Sequence, residues 1–383
     1  MSRSVLIVGL MAAWWPMFIT GCAGGRNAED VYSPENFGPH SVGFLRIELY
    51  DAGRDRSLST AVWYPARRPP HGTEPVYYLS LLAGRAYQET EVDAAGAPYP
   101  LVMFSHGNQG IGVQSFTLCE HLASQGFVVA APNHEGNTML DSPSDEEIAG
   151  IALERPADII FTLDRLLELN DDPRDLLFGA IDTQALGVSG HSFGGYTTLV
   201  LAGAKADRDA AAARCAAGVA GDAMCPYVEY WPPGTVQTRP ERASAFRAAL
   251  ALAPGGYAAF GDEGLASVDM PVMMMGGDLD EFTANDLRPI YAALPVPKYK
   301  IEITGAGHMS FTDICRAELP VPELQDLCDP ERYLDSDRAF EIIDAFATAF
   351  LRLTLKDDVA MQDYLSASYA AAYPEVGLES ETN

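Results

Sequence analysis

The sequence predicts an α/β fold: a mostly parallel central sheet with helices on both faces and an inserted cap region. Three observations predict it. Strand-like apolar runs alternate with helical periodicity along most of the 383 residues. One such run enters a glycine-rich turn, G-V-S-G-H-S-F-G-G at 187–195, and a helical pattern leaves it. About 45 residues of uneven composition then precede the next strand, too many for a plain connection.

Taken in order, the chain opens with Arg3 and an apolar run from Val5 to Ile19, broken by Pro16. A basic start and a short apolar stretch mark an export signal rather than a membrane span. Ile19-Thr20-Gly21-Cys22 resembles a bacterial lipobox, so residues 1–22 read as a lipoprotein-type signal peptide with Cys22 as the lipidated residue. Residues 23–37 are small and polar, as a tether would be, and an ordinary signal cut nearby is the alternative. The expected location is the periplasmic face of a bacterial outer membrane, or the secreted fraction. Membrane contact is expected through the anchor alone.

F-L-R-I-E-L-Y and L-S-T-A-V-W-Y-P read as a hairpin, P-L-V-M-F-S-H (100–106) as a buried strand, 114–125 as a helix and F-V-V-A-A-P (127–132) as the next strand. Residues 154–169 carry helical spacing, with Pro156 expected in the first turn, where its missing N–H is harmless. F-R-A-A-L-A-L-A-P, M-P-V-M-M-M-G-G and K-Y-K-I-E-I-T-G give three more strands, and 338–354 a closing amphipathic helix. Residues 38–355 therefore read as one domain with 205–245 as its cap, and the acidic segment 356–383 as a tail of partial order at best.

With 53 acidic and 25 basic residues, the net charge of −28 excludes binding nucleic acid or anionic lipid through surface charge. Cys215/Cys225 and Cys315/Cys328 are close pairs expected to form local disulfides in an exported protein, although spacing alone does not fix connectivity. Cys119 is left over in a helix, and no Cys/His spacing has the form of a zinc site.

Gly190-His191-Ser192-Phe193-Gly194 lies between strand and helix, the context that a nucleophile elbow requires. The following helix directs its N-terminus at charge developing near the Ser192 hydroxyl. A hydroxyl nucleophile needs a base. Of seven histidines, His308 follows the last predicted strand and opens at the same sheet edge, with His134 the alternative. His106 and His191 are expected to orient backbone instead. The base needs a carboxylate, and Asp278, Asp280 and Glu281 share the loop after the preceding strand. Asp280 is preferred, because the turn must extend before a side chain reaches the histidine. Backbone N–H groups of Phe193 and of Asn108, in F-S-H-G-N-Q-G, are the expected oxyanion donors.

On these residues the chain resembles the α/β-hydrolase superfamily. More narrowly, F-S-H-G-N-Q-G, A-A-P-N-H-E-G-N-T, G-H-S-F-G-G-Y-T-T, G-G-D-L-D-E-F-T and I-T-G-A-G-H-M-S-F-T-D resemble bacterial predicted dienelactone hydrolases and the related platelet-activating-factor acetylhydrolases. The resemblance implies Asp280 as the third triad member and an oxyanion N–H from Asn108. Dienelactone hydrolases proper use a cysteine where this chain has Ser192, so the implied substrates are short or lipid-derived acyl esters. No cofactor or metal is called for. A phospholipase A2-like or polyester-cleaving activity is the near alternative, an amidase or peptidase a more distant one, and a non-catalytic envelope lipoprotein the reading from another class. His134 is expected to line the pocket. Tyr227, Tyr230 and Trp231 of the cap are expected either to shape specificity or to pack the cap on the core.

Overall fold

The structure is a computed structural model that describes residues 32–218, 223–317 and 322–382. The expected signal peptide, Cys22 and most of the tether lie outside the described residues. Strands β1 (Ser41–Asp51) and β2 (Arg56–Ala66) form the antiparallel hairpin, paired from Ser41↔Ala66 to Asp51↔Arg56. With β3 (Ala86–Gln88), β4 (Tyr99–Ser105), β5 (Val128–Pro132), β6 (Ile181–His191), β7 (Phe246–Leu252), β8 (Val272–Gly277), β9 (Lys298–Ile303) and β10 (Val376–Glu381), they make one sheet ordered β10-β9-β8-β7-β6-β4-β5-β2-β1-β3. From β5 through β9 every neighbouring pair is parallel. Every residue of β4, β5 and β8 is buried, which is why these strands read as unbroken apolar runs rather than alternating ones.

Helices cover both faces. On one lie α1 (Phe116–Ser124) and the long closing helix Ser336–Leu355, packing Leu118, Leu122, Phe346 and Phe350 against Val102, Phe104 and Leu250. On the other lie α2 (Asp145–Asp171) and α3 (Phe193–Ala202), packing Ile159, Leu163 and Leu199 against Met103, Val188 and Met274. Among the described residues no helix is long and apolar enough to cross a membrane.

Pro156 departs from expectation. It lies inside α2, which begins nine residues earlier than the periodicity indicated, at a capping box formed by Ser144 and Glu147. A mid-helix proline leaves the carbonyl four residues back without its donor. Here that carbonyl, of Ala152, accepts from Gln237 Nε2 at 3.1 Å, and Trp231 Nε1 donates to Ala149 O at 2.9 Å. The inserted segment thus docks on the turn of α2 that the proline opens.

The C-terminal segment is also corrected. Far from a loose tail, residues 359–381 form helical turns and β10, which pairs antiparallel with β9 from Lys298↔Glu381 to Ile303↔Val376. Its acidity has a partner. Lys298 and Lys300 are buried on β9, and Glu381 and Glu379 of the edge strand β10 meet them at 3.2 and 2.6 Å. Tyr369 and Tyr373 donate to Glu35 at 2.6 and 3.1 Å, so the last residues assigned to the tether belong to the fold as well.

Candidate active site

β6 carries the glycine-rich turn to the C-terminal edge of the sheet. Ser192 sits at its tip with φ 57° and ψ −116°, a conformation that costs about 1–3 kcal/mol and must be held by its surroundings. Its N–H donates to Leu252 O at 2.9 Å, and its carbonyl accepts the first bond of α3, from Tyr196 N at 3.0 Å. The flanking glycines are sterically required: a Cβ on Gly194 would collide with the Ser105 carbonyl, and one on Gly190 with the Gly194 carbonyl.

Ser192 Oγ lies 2.8 Å from His308 Nε2, and His308 Nδ1 lies 2.8 Å from Asp280 Oδ2. His308 follows β9, and Asp280 follows β8. Asp280 Oδ1 accepts from the N–H groups of Phe282 and Thr283 at 2.8 and 2.9 Å, and Thr283 Oγ1 donates to Oδ2 at 2.7 Å. Burial by itself would raise this carboxyl; the hydrogen bond and charge of His308, with Thr283, outweigh it and hold Asp280 at about 2. The neighbouring carboxylates have other tasks. Asp278 accepts from Gly305 N at 2.7 Å, and Glu281 accepts from the Tyr333 hydroxyl at 2.8 Å.

Ser192 and His308 lie in the wall of a cavity of about 500 Å³ that Asn108 and Phe193 also line. The Gly107 N–H is taken by Gln114 Oε1 at 3.1 Å, whereas among the described residues the Asn108 N–H has no hydrogen-bond acceptor. The Phe193 N–H opens α3, where helical geometry provides no intrahelical partner. Two free N–H groups therefore flank Ser192. His191 ties this loop to the base: its Nδ1 accepts from Gln114 Nε2 at 3.0 Å, and its Nε2 donates to His308 O at 3.0 Å. Burial, then the nearby His308, pushes the His191 imidazole down to about 3, so it stays neutral.

The remaining cavity wall is mostly apolar, with Gln109, Gln114, Thr283, Thr312 and Asp313 as its polar members. Tyr78, Leu79 and Leu82 come from the short hairpin Tyr77–Ala83, Ala223, Met224 and Tyr227 from the inserted segment, and Ile314, Leu324 and Leu327 from the segment after His308. Each of the last two walls is stapled, by Cys215–Cys225 and by Cys315–Cys328, while Cys119 is free and buried in α1. No sequence feature marked the hairpin or the second stapled wall as site-forming, because their apolar residues are too few to show a period.

Three expected substrate contacts are not in the cavity wall. His134 is fully buried, with Nδ1 on Asp158 Oδ2 at 2.9 Å and Nε2 on Ser105 Oγ at 2.9 Å. Trp231 is buried against α2, where its indole N–H donates to the Ala149 carbonyl. Tyr230 is 45% exposed and is not part of the cavity lining. Of the cap aromatics, Tyr227 lines it. Arg155, absent from the sequence expectations, is also fully buried, directly behind the Ser105–Gly107 turn. The available signal was an arginine inside an otherwise apolar helical face.

Residues 76–146 match the sequence family described as platelet-activating factor acetylhydrolase, isoform II. The platelet-activating factor acetylhydrolase of Cavia porcellus is 22% identical over 380 residues, spanning 83% of this chain and 77% of that protein. Cutinase 2 of Thermobifida cellulosilytica is 26% identical over 231 residues, spanning 59% of this chain and 65% of that protein. The structure of a ferulic acid esterase from Streptomyces cinnamoneus superposes with a TM-score of 0.60 at 24% identity, covering 89% of this chain and 96% of the other; at that identity the likeness establishes the fold. The chain has the α/β-hydrolase fold and is a relative of the platelet-activating factor acetylhydrolase isoform II family and of the cutinases.

Proposed function

We propose that the chain is a serine hydrolase of carboxylic esters. The observation that carries this reading is the unbroken series Ser192 Oγ–His308 Nε2–Asp280 at 2.8 Å per step, at the wall of an apolar cavity. His308 takes the Ser192 proton as Oγ attacks the ester carbonyl. Asp280, ionised at any working pH, holds the Nδ1–H tautomer and stabilises the imidazolium. The Asn108 and Phe193 N–H groups receive the oxyanion, each contributing about 3–4 kcal/mol to the transition state. The alcohol leaves with the proton from His308, and water repeats the sequence on the acyl-enzyme.

The wall supports a neutral, apolar ester. Its described residues include no Lys or Arg to meet a phosphate, and they include Asp313. Relatives named acetylhydrolase and cutinase support ester rather than amide substrates. Two disulfides support an exported protein. Attachment through a lipid on Cys22 is part of the same proposal, and a Cys22→Ser chain that stayed in the membrane fraction would overturn it.

Rates on p-nitrophenyl esters of increasing acyl length, beside a short-acyl phospholipid, test the substrate. The expected order places neutral p-nitrophenyl butyrate above the phospholipid. Ser192→Ala is expected to lose hydrolysis by on the order of 10⁶-fold and to lose fluorophosphonate labelling. Wild-type rates in that variant would sink the mechanism.

A further inference from the structure

Arg155 projects from α2 into the protein interior and is fully buried. Its hydrogen-bond acceptors are neutral. Nη1 donates to His106 O at 2.6 Å and Ser105 Oγ at 3.2 Å; Nη2 donates to Gly107 O at 3.0 Å and Asn137 Oδ1 at 2.9 Å. Burying a cation costs several kcal/mol, and apolar residues of similar volume often replace such groups without loss of stability. A guanidinium set among backbone carbonyls therefore calls for a reason beyond packing.

The carbonyls it holds supply one. The peptide joining Gly107 to Asn108 is trans, so its C=O and N–H point in opposite directions. The C=O accepts from three donors: Arg155 Nη2 at 3.0 Å, His106 Nδ1 at 2.7 Å and the Gly110 N–H of its own turn at 3.1 Å. His106 Nε2 accepts the His134 N–H at 3.0 Å, so the single proton of the neutral ring lies on Nδ1 and is free to be donated. With its carbonyl pinned behind, the same peptide directs the Asn108 N–H forward, toward the cavity that Asn108 lines. The Asn108 side chain is held too, since Asn137 Nδ2 donates to its Oδ1 at 2.8 Å while Asn137 Oδ1 accepts from Arg155. On the other side of the guanidinium, the Phe193 ring lies 4.5 Å from Cζ. One cation thus touches the supports of both N–H groups that flank Ser192.

We propose that Arg155 is a positioning residue for the oxyanion site: it fixes the Gly107–Asn108 peptide and Phe193 relative to Ser192, and does so before substrate arrives. The assignment rests on the reading of Ser192 as nucleophile. A planar fork with paired, directed donors can hold two successive carbonyls and an amide at once, which a lysine ammonium on a flexible stem cannot. The donors also polarise the peptide, strengthening its N–H toward a developing anion.

The test is Arg155→Lys, compared with wild type on matched p-nitrophenyl butyrate and its thiono analogue, whose sulfur is a poor and oversized acceptor for a fixed N–H pair. Expected are a kcat for the ester lower by about 10²-fold, a KM within about threefold, and an oxygen-to-sulfur rate ratio that collapses toward that of uncatalysed hydrolysis. Fluorophosphonate labelling of Ser192 persists but slows. A folded Arg155→Lys variant with wild-type kcat and an unchanged oxygen-to-sulfur ratio overturns the proposal. So does a lowered kcat with that ratio intact, because that is the result expected when the variant loses active enzyme or general order without any change at the two N–H groups. If Arg155→Lys does not fold, Arg155→Gln, which removes the buried charge and keeps one amide donor, is put through the same comparison, and an unchanged ratio there is equally fatal. The two readings fail separately: a wild-type protein without Ser192-dependent hydrolysis removes the proposed function, whereas an active wild type with an indifferent Arg155 removes this inference alone.

Discussion

Two Ser–His–Asp series of hydrogen bonds run through this molecule, and their contrast separates bonding pattern from chemistry. Ser192–His308–Asp280 has steps of 2.8 and 2.8 Å, and Ser105–His134–Asp158 has steps of 2.9 and 2.9 Å. By distance they are equivalent. Ser192 is partly exposed in a cavity wall and has unpaired N–H groups beside it. Ser105 is fully buried, and its oxygen already accepts from Arg155. Burial first, and then the Arg155 charge, push the His134 imidazole down to about 4, so it resists the proton that a general base must take. Asp158 divides its charge among His134, Arg54 and Arg56, whereas Asp280 faces His308 with hydroxyl and backbone donors around it. A triad needs access and a base free to become charged; the second series lacks both and serves as scaffold beneath the first.

The largest expected effect breaks the two apart. Asp280→Asn is expected to lower kcat by about 10⁴-fold, because the amide presents the wrong group to His308 while still accepting the Phe282 and Thr283 N–H groups. Asp158→Asn is expected to keep kcat within about tenfold but to cost about 3 kcal/mol in urea unfolding, since Arg54, Arg56 and His134 lose the buried carboxylate that they share. Steady-state kinetics and denaturation on both variants check this, and the reverse pattern would exchange the roles of the two series.

Ser105→Ala is the milder probe. It leaves His134 Nε2 buried without its hydroxyl partner, at about 1–3 kcal/mol, and leaves the His106 and Arg155 bonds to the Gly107 carbonyl in place. Fluorophosphonate labelling at the wild-type rate is expected, and abolished labelling would make Ser105 more than a support.

The smallest effect concerns two buried carboxylates near the cavity that are shifted in opposite directions. Asp280 is held at about 2 by its partners; Asp313, hydrogen-bonded to Thr117 and Arg316 but close to Glu120, is pushed up to about 7, chiefly by burial. A carboxyl raised in the folded state binds its proton more tightly there than in the unfolded chain. Its stabilising contribution is therefore whole below about pH 4 and is lost as pH rises through about 7. Asp313→Asn is expected to flatten the stability profile between those values by on the order of 2 kcal/mol, measured by urea unfolding at pH 5 and pH 8. An unchanged slope would mean that the Thr117 and Arg316 bonds already compensate for burial. Asp280 works in the opposite sense: its contribution is present above about pH 4 and is lost as pH falls through about 2.

The sequence by itself determined the mostly parallel sheet, the elbow and the choice of loops that meet above it. Parallel strands buried on both faces must be apolar throughout, tight turns must be glycine, and chain order then places Ser192, Asp280 and His308 at one sheet edge. These are local requirements, and they are legible one segment at a time. What the tertiary structure decided is partner identity. His134 follows a strand end as His308 does, yet one faces Asp158 and Arg155 inside the core and the other a cavity. Pro156 became a docking point because Gln237, 81 residues away, reaches its orphaned carbonyl. The acidic C-terminus became a strand because two lysines on β9 receive its glutamates. Arg155, one charge in a helical pattern, came to lie behind the Ser105–Gly107 turn. Each outcome depends on which charges and carbonyls meet across the fold, and periodicity within a segment carries no information about that.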